Sequence, residues 1–257
     1  MAKAFFSQKI RNSKNEIISG KFGLKYKLPN LKETIAFSIF TDGIYEEENI
    51  RFIIQHLPLN SVLLDLGANI GSICLPIAKL RPDVRIIAVE ASPRVFSYLK
   101  ENIEMNKVTN IDIVNIALSD NDGETISFYS PEEKFGKGSM SPVFTDKAET
   151  VKTITVDTLL KNKNISNVGF IKIDVEGYES FVFRGSEKLL SGDSKPPVLF
   201  EFADWAERQA HGAQVGDAQK ELLRHGYQLA ILDKPPVFKA VESYLQAGAF
   251  MMYAFKK

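Results

Sequence analysis

The stretch Val62-Leu63-Leu64-Asp65-Leu66-Gly67-Ala68-Asn69-Ile70-Gly71 constrains the fold more than any other part of the chain. An apolar run closed by an acid and two glycines is how a buried parallel strand turns into a helix beneath a nucleotide-like ligand. The glycines permit a tight turn and close backbone approach, and the free N–H groups of the next helix's first turn face the crevice. The spacing departs from the dinucleotide pattern G-x-G-x-x-G, because Asn69 stands where the second glycine would fall. Asp65 would repel a pyrophosphate and suits a cationic or hydrogen-bond-donating ligand group instead. A bare strand-to-helix turn with no ligand is the competing explanation of the same ten residues.

Further strand and helix signals line up beside this one. The chain has 257 residues and 44% hydrophobic content, enough for one large α/β domain. Residues 1–43 read as a small strand-bearing cap, in which Thr34–Phe40 alternates with Ile35, Phe37 and Ile39 on one face. Residues 44–257 form the main domain. A helix is expected over Tyr45–Leu57, and another over about 71–80 in which Pro76 either kinks the helix or shifts its start. Strands are expected at Val84–Val89, Asn110–Ile116, Phe170–Ile173, Pro197–Phe200, Tyr227–Leu232 and Ala249–Phe255. Ser92-Pro93 supplies an N-cap and a first-turn proline for one helix, and Asp217–His225 forms another. An insertion at about 121–156 carries two strands, with Ile126 and Phe128 in one and Ile154 and Val156 in the other. Between them runs a polar loop, Ser130–Ala148, that reads as a lid or as a loose surface hairpin.

Charge narrows the partners. Lys plus Arg and Asp plus Glu both number 32, and no basic block alternates with aromatics. That balance argues against nucleic acid and anionic membrane surfaces. The single cysteine, Cys74, falls on the apolar side of its helix and reads as a core residue. The first nine residues turn polar too soon for a signal peptide, and no segment has the ~20 apolar residues of a bilayer span. A soluble, reducing, cytoplasmic setting is therefore expected.

The chemistry-bearing residues cluster at strand ends. Glu90 closes the second strand about 20 residues beyond the glycine turn, where an acid accepts hydrogen bonds from both ribose hydroxyls. Ala117-Leu118-Ser119-Asp120 follows the third strand, at the edge where crevice ligands bind. Lys172, Asp174 and Glu176 end the next strand. Two carboxylates at that spacing could hold a divalent metal, act as a general base, or cap the following helix. Glu201 is another acid at a strand end, and His211 lies in an irregular segment with a side chain suited to proton transfer near neutrality.

In order, the Val62–Gly71 turn, Val89-Glu90-Ala91-Ser92-Pro93, Ala117–Asp120, Val156–Leu159 and Ile171–Glu179 resemble the FkbM family of S-adenosylmethionine-dependent methyltransferases, over roughly residues 45–205. The resemblance implies a Rossmann-like class I methyltransferase fold, with a seven-stranded, mostly parallel sheet and helices on both faces. It also implies methyl transfer to a hydroxyl oxygen of a saccharide or small natural product. On that reading Asp65, Gly67, Ala68, Asn69 and Gly71 seat the amino-acid end of S-adenosylmethionine, and Glu90 holds its ribose. Ala91, Ser92, Ala117 and Ser119 flank the adenine. Asp174 lies beside the cofactor and serves as the general base, with Glu201 and His211 as competitors and Lys172 and Glu176 in support. No metal is assigned, a Mg²⁺ between Asp174 and Glu201 being the alternative. An NAD(P)-dependent oxidoreductase shares the ribose-binding acid but lacks support in the glycine spacing and in Asp65. A non-catalytic nucleotide-binding or scaffold module would not need the turn and the strand-end acids intact.

Overall fold

The computed structural model describes residue 10 and residues 12–142, 145–233 and 238–256, so the opening nine residues lie outside it. The first elements are an antiparallel pair, β1 (Glu16–Ser19) and β2 (Lys25–Leu28). Thr34–Asp42 follows as helix α1, where sequence alternation predicts a strand. Ile35 and Ile39 satisfy both periods, being two steps of a strand apart or one turn of a helix apart. The ends decide the outcome: the Glu33 carboxylate accepts the Ile35 N–H at 2.7 Å, and Gly43 closes the last turn in the left-handed region. Phe37, expected beside them, is left 40% exposed.

Helix α2 (Glu47–His56) leads into β3 (Val62–Leu66), and α3 (Cys74–Leu80) follows the glycine turn. Pro76 is the third residue of α3, where its missing N–H has no helical partner to lose, so the proline shifts the helix start and no kink is needed. Then come β4 (Arg85–Glu90), α4 (Pro93–Asn106) and β5 (Ile111–Asn115). Strand β6 (Ala117–Leu118) precedes the insertion, which holds β7 (Thr125–Tyr129) and β8 (Ala148–Ile154), and the three form a separate sheet. Val156, expected in a strand, opens α5 (Val156–Asn162), because the Thr155 hydroxyl accepts the Thr158 N–H and caps a helix there. The remainder is β9 (Val168–Ile173), α6 (Glu179–Arg184), α7 (Glu187–Ser191), β10 (Val198–Ala203), α8 (Asp204–Gln209), α9 (Asp217–Arg224), β11 (Gln228–Leu232), β12 (Phe238–Val241) and β13 (Ala249–Phe255).

The main sheet runs β12-β11-β13-β10-β9-β3-β4-β5. It has eight strands among the described residues. The expected seven are β5 to β11, and β12 adds an antiparallel edge through a hairpin with β11. Strands β5, β4, β3, β9 and β10 are parallel, and β13 inserts antiparallel between β10 and β11. The chain moves outward from β3 to β4 and β5, then returns to place β9 on the other side of β3. Strand order therefore reverses at β3, which opens a crevice beyond the carboxyl ends of β3, β4 and β9.

Both faces of the sheet are covered. Leu63, Ile86, Ala88 and Phe170 pack on one side with Ile53, Ile77 and Leu99 from the helices. Leu64, Ile87, Ile171 and Phe200 pack on the other with Val182, Phe183 and Leu222. Strands buried on both faces need a continuous apolar run, which is what Val62–Leu66 and Val168–Ile173 supply around two charged exceptions, Asp65 and Lys172. The N-terminal pair joins the first core through Leu24, Tyr26 and Leu28, and Asn102 of α4 exchanges hydrogen bonds with the Lys27 backbone.

Candidate active site

The glycine turn is held on two sides. Gly67 has φ +84°, and a Cβ there would stand 1.9 Å from the Asp174 carbonyl oxygen. Only glycine allows β3 and the end of β9 to approach so closely. The Gly67 and Ala68 N–H groups donate to the Val89 carbonyl at 2.9 and 2.8 Å, tying the turn to β4. Asn69 donates its N–H to Glu90 Oε2 at 3.0 Å, and Ser92 donates its N–H to Glu90 Oε1 at 2.9 Å. Each Glu90 oxygen accepts one backbone bond and keeps a second lone pair for another donor. Burial raises the Glu90 pKa to about 7 against the lowering effect of those N–H bonds.

The crevice encloses about 810 Å³ of space, its mouth included. Gly67, Ala68, Asn69, Glu90 and Ala91 line one wall, and Lys172, Asp174 and Glu176 line the other end. Phe128, Ser130, Phe135, Gly136, Gly138 and Met140 form the roof. Side-chain bonds pin the loop after β7 as that roof. Asn69 Nδ2 donates to the Phe135 carbonyl at 3.2 Å, Lys137 Nζ donates to Glu176 Oε1 at 2.8 Å, and Ser141 Oγ donates to the Gln209 carbonyl at 2.8 Å. Phe135 is 1% exposed.

Not every residue expected at the site reaches it. Asp65, expected to meet a cationic ligand group directly, is fully buried beneath the turn. It pairs in register with Lys172 across β3 and β9, and the Lys172 ammonium lies 3.7 Å from Asp65 Oδ1. Both Asp65 oxygens lack a hydrogen-bond partner, and burial raises its pKa against the pull of Lys172. Burial and the Asp65 charge together push the neighbouring Cys74 thiol well up, in keeping with an inert core residue. Gly71 turns away from the crevice, facing Leu75 and Leu99. Ser92 is fully buried as the cap of α4, its hydroxyl donating to Glu149 Oε2 and accepting the Val95 N–H. Ala117 packs with Phe128 and Val151 under the roof sheet, and Ser119 donates its N–H to the Ile154 carbonyl. His211 is exposed in the turn after α8 and does not line the crevice. Tyr45, Ser72, Phe128, Ser130 and Phe135 line it without having been expected there. Of these, only the roof residues carried a sequence signal, through the long Gly-rich loop.

The acidic end of the crevice is electrostatically crowded. One oxygen each from Asp174, Glu176 and Glu201 lies within 4.8 Å of the others. Burial, reinforced by the Asp174 charge, raises Glu176 to about 8 and Glu201 to about 7, against the opposing effect of Lys137. Lys172 sits 3.9 Å from Asp174 Oδ2 and donates to the Gly67 carbonyl at 3.4 Å. Burial disfavours its charge, yet Asp65, Asp174, Glu46 and Glu201 hold its pKa above the ordinary lysine value. Lys172 is thus a fixed cation, unsuited to act as a base.

A ligand with a cationic end, a ribose and a neutral linker fits this arrangement. Asp174 Oδ1 is buried without a partner beside the turn, Glu90 has lone pairs to spare, and among the described residues that line the crevice Lys172 is the one basic side chain, too few for a pyrophosphate. A parallel sheet that switches at a glycine turn, with an acid ending the next strand, defines a Rossmann-like class I methyltransferase fold. Residues 65–229 match the methyltransferase FkbM domain, and the chain belongs to that family, whose cofactor is S-adenosylmethionine. Among curated relatives, the hexuronic acid methyltransferase AglP of Haloferax volcanii is 30% identical over 146 residues, covering 56% of this chain and 58% of that protein. The chain thus spans under two thirds of that relative's length. The 2-O-methyltransferase NoeI of Sinorhizobium fredii is 25% identical over 199 residues, covering 71% and 74% respectively. A solved structure, the precorrin-6y C5,15-methyltransferase of Geobacter metallireducens, aligns with 83% of this chain and 90% of its own at 15% identity and a TM-score of 0.47. Among the described residues no helix is long and apolar enough to cross a membrane.

Proposed function

We propose that the chain is an S-adenosylmethionine-dependent O-methyltransferase acting on a hydroxyl of a saccharide or small natural product. The observation that carries this reading is the continuity of the crevice, which runs from the Gly67 turn and Glu90 to Asp174 and Glu176 under one roof. A relative named for 2-O-methylation favours an alcohol acceptor, and one named for hexuronic acid methylation favours a saccharide. S-adenosylmethionine supplies an already activated methyl group on a sulfonium, so the protein's work is alignment, proton removal and exclusion of water.

Glu90 would receive the ribose hydroxyls, while the Gly67 carbonyl and Asp174 would receive the ammonium of the amino-acid end. The Asp174 carboxylate would accept the proton that the acceptor hydroxyl releases as its oxygen forms the new C–O bond and the C–S bond breaks. Glu201 stands close enough to share that proton with Asp174. Lys172 keeps the cluster from accumulating unbalanced negative charge. The roof residues Phe135 and Met140 present an apolar ceiling that excludes water and shapes the acceptor pocket. His211 is given no role.

Incubation of the purified chain with isotopically labelled methyl donor and a panel of uronic acids, oligosaccharides and hydroxylated metabolites, read by mass spectrometry, tests the proposal. A mass gain of one labelled methyl on an oxygen is expected, and Glu90→Ala should lose it at limiting donor. Transfer to nitrogen or carbon, or to none of these acceptors while peptides or RNA are methylated, would overturn the acceptor class.

A further inference from the structure

The geometry points to a binding site for one hard divalent cation held by Asp174, Glu176 and Glu201. One carboxylate oxygen of each lies within 4.8 Å of the other two. Oxygens sharing one six-coordinate ion stand about 3 to 4.2 Å apart around Mg²⁺ and about 3.4 to 5 Å around Ca²⁺, so three donors within this range need only a small inward adjustment to close on a single ion. The donors come from the ends of neighbouring parallel strands, β9 and β10, and from the turn just after β9. They are therefore positioned by the sheet and not by a free loop.

A second observation separates this cluster from an ordinary acidic patch. Glu176 is only 8% exposed, and its two oxygens differ: Oε1 accepts a hydrogen bond from Lys137 at 2.8 Å, and Oε2 is buried with no partner. Asp174 repeats the pattern, with Oδ2 3.9 Å from Lys172 and Oδ1 buried with no partner. Two lysines thus engage one oxygen of each carboxylate from outside and leave the other uncompensated. A buried carboxylate oxygen without a donor is costly unless an ion or proton completes it. Glu176 is also held in the left-handed region, at φ +53°, a conformation a glutamate adopts only under constraint from its surroundings.

The ligand set names the ion's class. Three carboxylates with no histidine or thiol among them select Mg²⁺, Mn²⁺ or Ca²⁺ over Zn²⁺ or Cu²⁺. Asp174 and Glu176 line the crevice, so the ion's remaining positions would take water or an acceptor hydroxyl oxygen. The site stands on these residues alone, without the methyl donor. Whether the ion also serves the acceptor depends on the methyl-transfer reading.

Mn²⁺ is the probe, followed by electron paramagnetic resonance and by titration calorimetry on the full chain after chelator treatment and desalting, with no cofactor present. One Mn²⁺ per chain is expected, displaced by excess Mg²⁺ or Ca²⁺. Glu176→Gln and Glu201→Gln should each weaken binding at least tenfold, whereas Glu187→Gln, an exposed surface acid, should leave it unchanged. Lys137→Met keeps the test open if the carboxylate variants fail to fold. It removes a competing cation from Glu176, so Mn²⁺ affinity should rise several-fold, where a merely structural lysine would lower it. No Mn²⁺ binding up to millimolar concentration, or binding unaltered by all three site variants, would overturn the site. Titration of the same samples with S-adenosylhomocysteine keeps the two readings apart: cofactor binding without Mn²⁺ removes only the cation site, and Mn²⁺ binding without cofactor removes only the methyl-donor site.

Discussion

Replacing Gly67 by alanine tests how the donor turn and the Asp174 strand end are fitted together. Two separable costs are expected. The backbone at φ +84° is left-handed, which costs an alanine about 1–2 kcal/mol. The new Cβ would also stand 1.9 Å from the Asp174 carbonyl oxygen, a backbone atom, so the turn or the end of β9 must move by more than an ångström. That movement strains the Asp174 N–H bond to the Leu66 carbonyl, now 3.0 Å, and the paired Gly67 and Ala68 bonds to Val89. At about 1 kcal/mol for each of the three bonds lost, the total reaches about 4–5 kcal/mol. Gly71 provides the internal control. Its φ is +90°, but a Cβ there meets only the Leu75 and Leu99 methyl groups, at 3.0 Å, and these side-chain ends can yield. Gly71→Ala should therefore cost little beyond the backbone term. Urea unfolding of the two variants beside the parent chain measures the difference. Gly67→Ala should be less stable than Gly71→Ala by at least about 1.5 kcal/mol, and its S-adenosylhomocysteine affinity should fall more steeply. Equal destabilisation of the two variants would refute the close backbone contact as the reason for glycine at position 67.

Two further outcomes are expected. Asp174→Asn should abolish turnover while changing S-adenosylhomocysteine affinity by less than about tenfold, equivalent to about 1.4 kcal/mol; single-turnover rates and calorimetry separate the two quantities, and unchanged turnover would remove Asp174 from proton transfer. Stability should fall as pH rises from about 4.5 to about 7, because buried carboxyls such as Glu207, raised to about 7 chiefly by burial, keep a proton in the folded state that the unfolded chain has released. The Glu207 carboxylate accepts the Gly216 N–H at 2.6 Å, and glutamine preserves an acceptor there. Glu207→Gln should reduce the stability lost between pH 5 and 8 by up to about 3 kcal/mol, the equivalent of the shift. Unfolding curves of parent and variant with the same pH slope would contradict this.

The parts of the fold legible in the sequence are those whose cause is local. The β3 turn and the Asp174 strand end each announce themselves by an apolar run, a charge and a glycine within ten residues, and Glu90 by an apolar run closed with an acid just before Ser92-Pro93. The sheet follows, because strands of that kind need helices on both faces. What was not legible depends on partners far along the chain. Thr34–Asp42 fits two periods, and the Glu33 cap and Gly43 stop choose the helix. Asp65 looks like a ligand-facing acid until Lys172 arrives beside it on β9 and holds it under the turn. Ser92 supplies the cap of α4, as its motif suggests, and for that reason faces inward. The roof residues were the least predictable, since a Gly-rich loop carries no periodicity and bonds to distant residues, those to Asn69, Glu176 and Gln209 among them, fix where it lies.

Those three bonds divide the cavity into parts of different kinds. Its floor is largely sheet-borne: Gly67, Glu90, Lys172 and Asp174 hang from the ends of β3, β4 and β9, and a change there disturbs the packed core. Its ceiling is Phe128 of β7 and the loop that follows, with no strand of the main sheet passing through it. On the proposed reading, residues 130–142 would be the part to exchange or rebuild for a differently shaped acceptor while the donor's seat keeps its dimensions, so that methyl donation would answer to the sheet and acceptor choice to the loop.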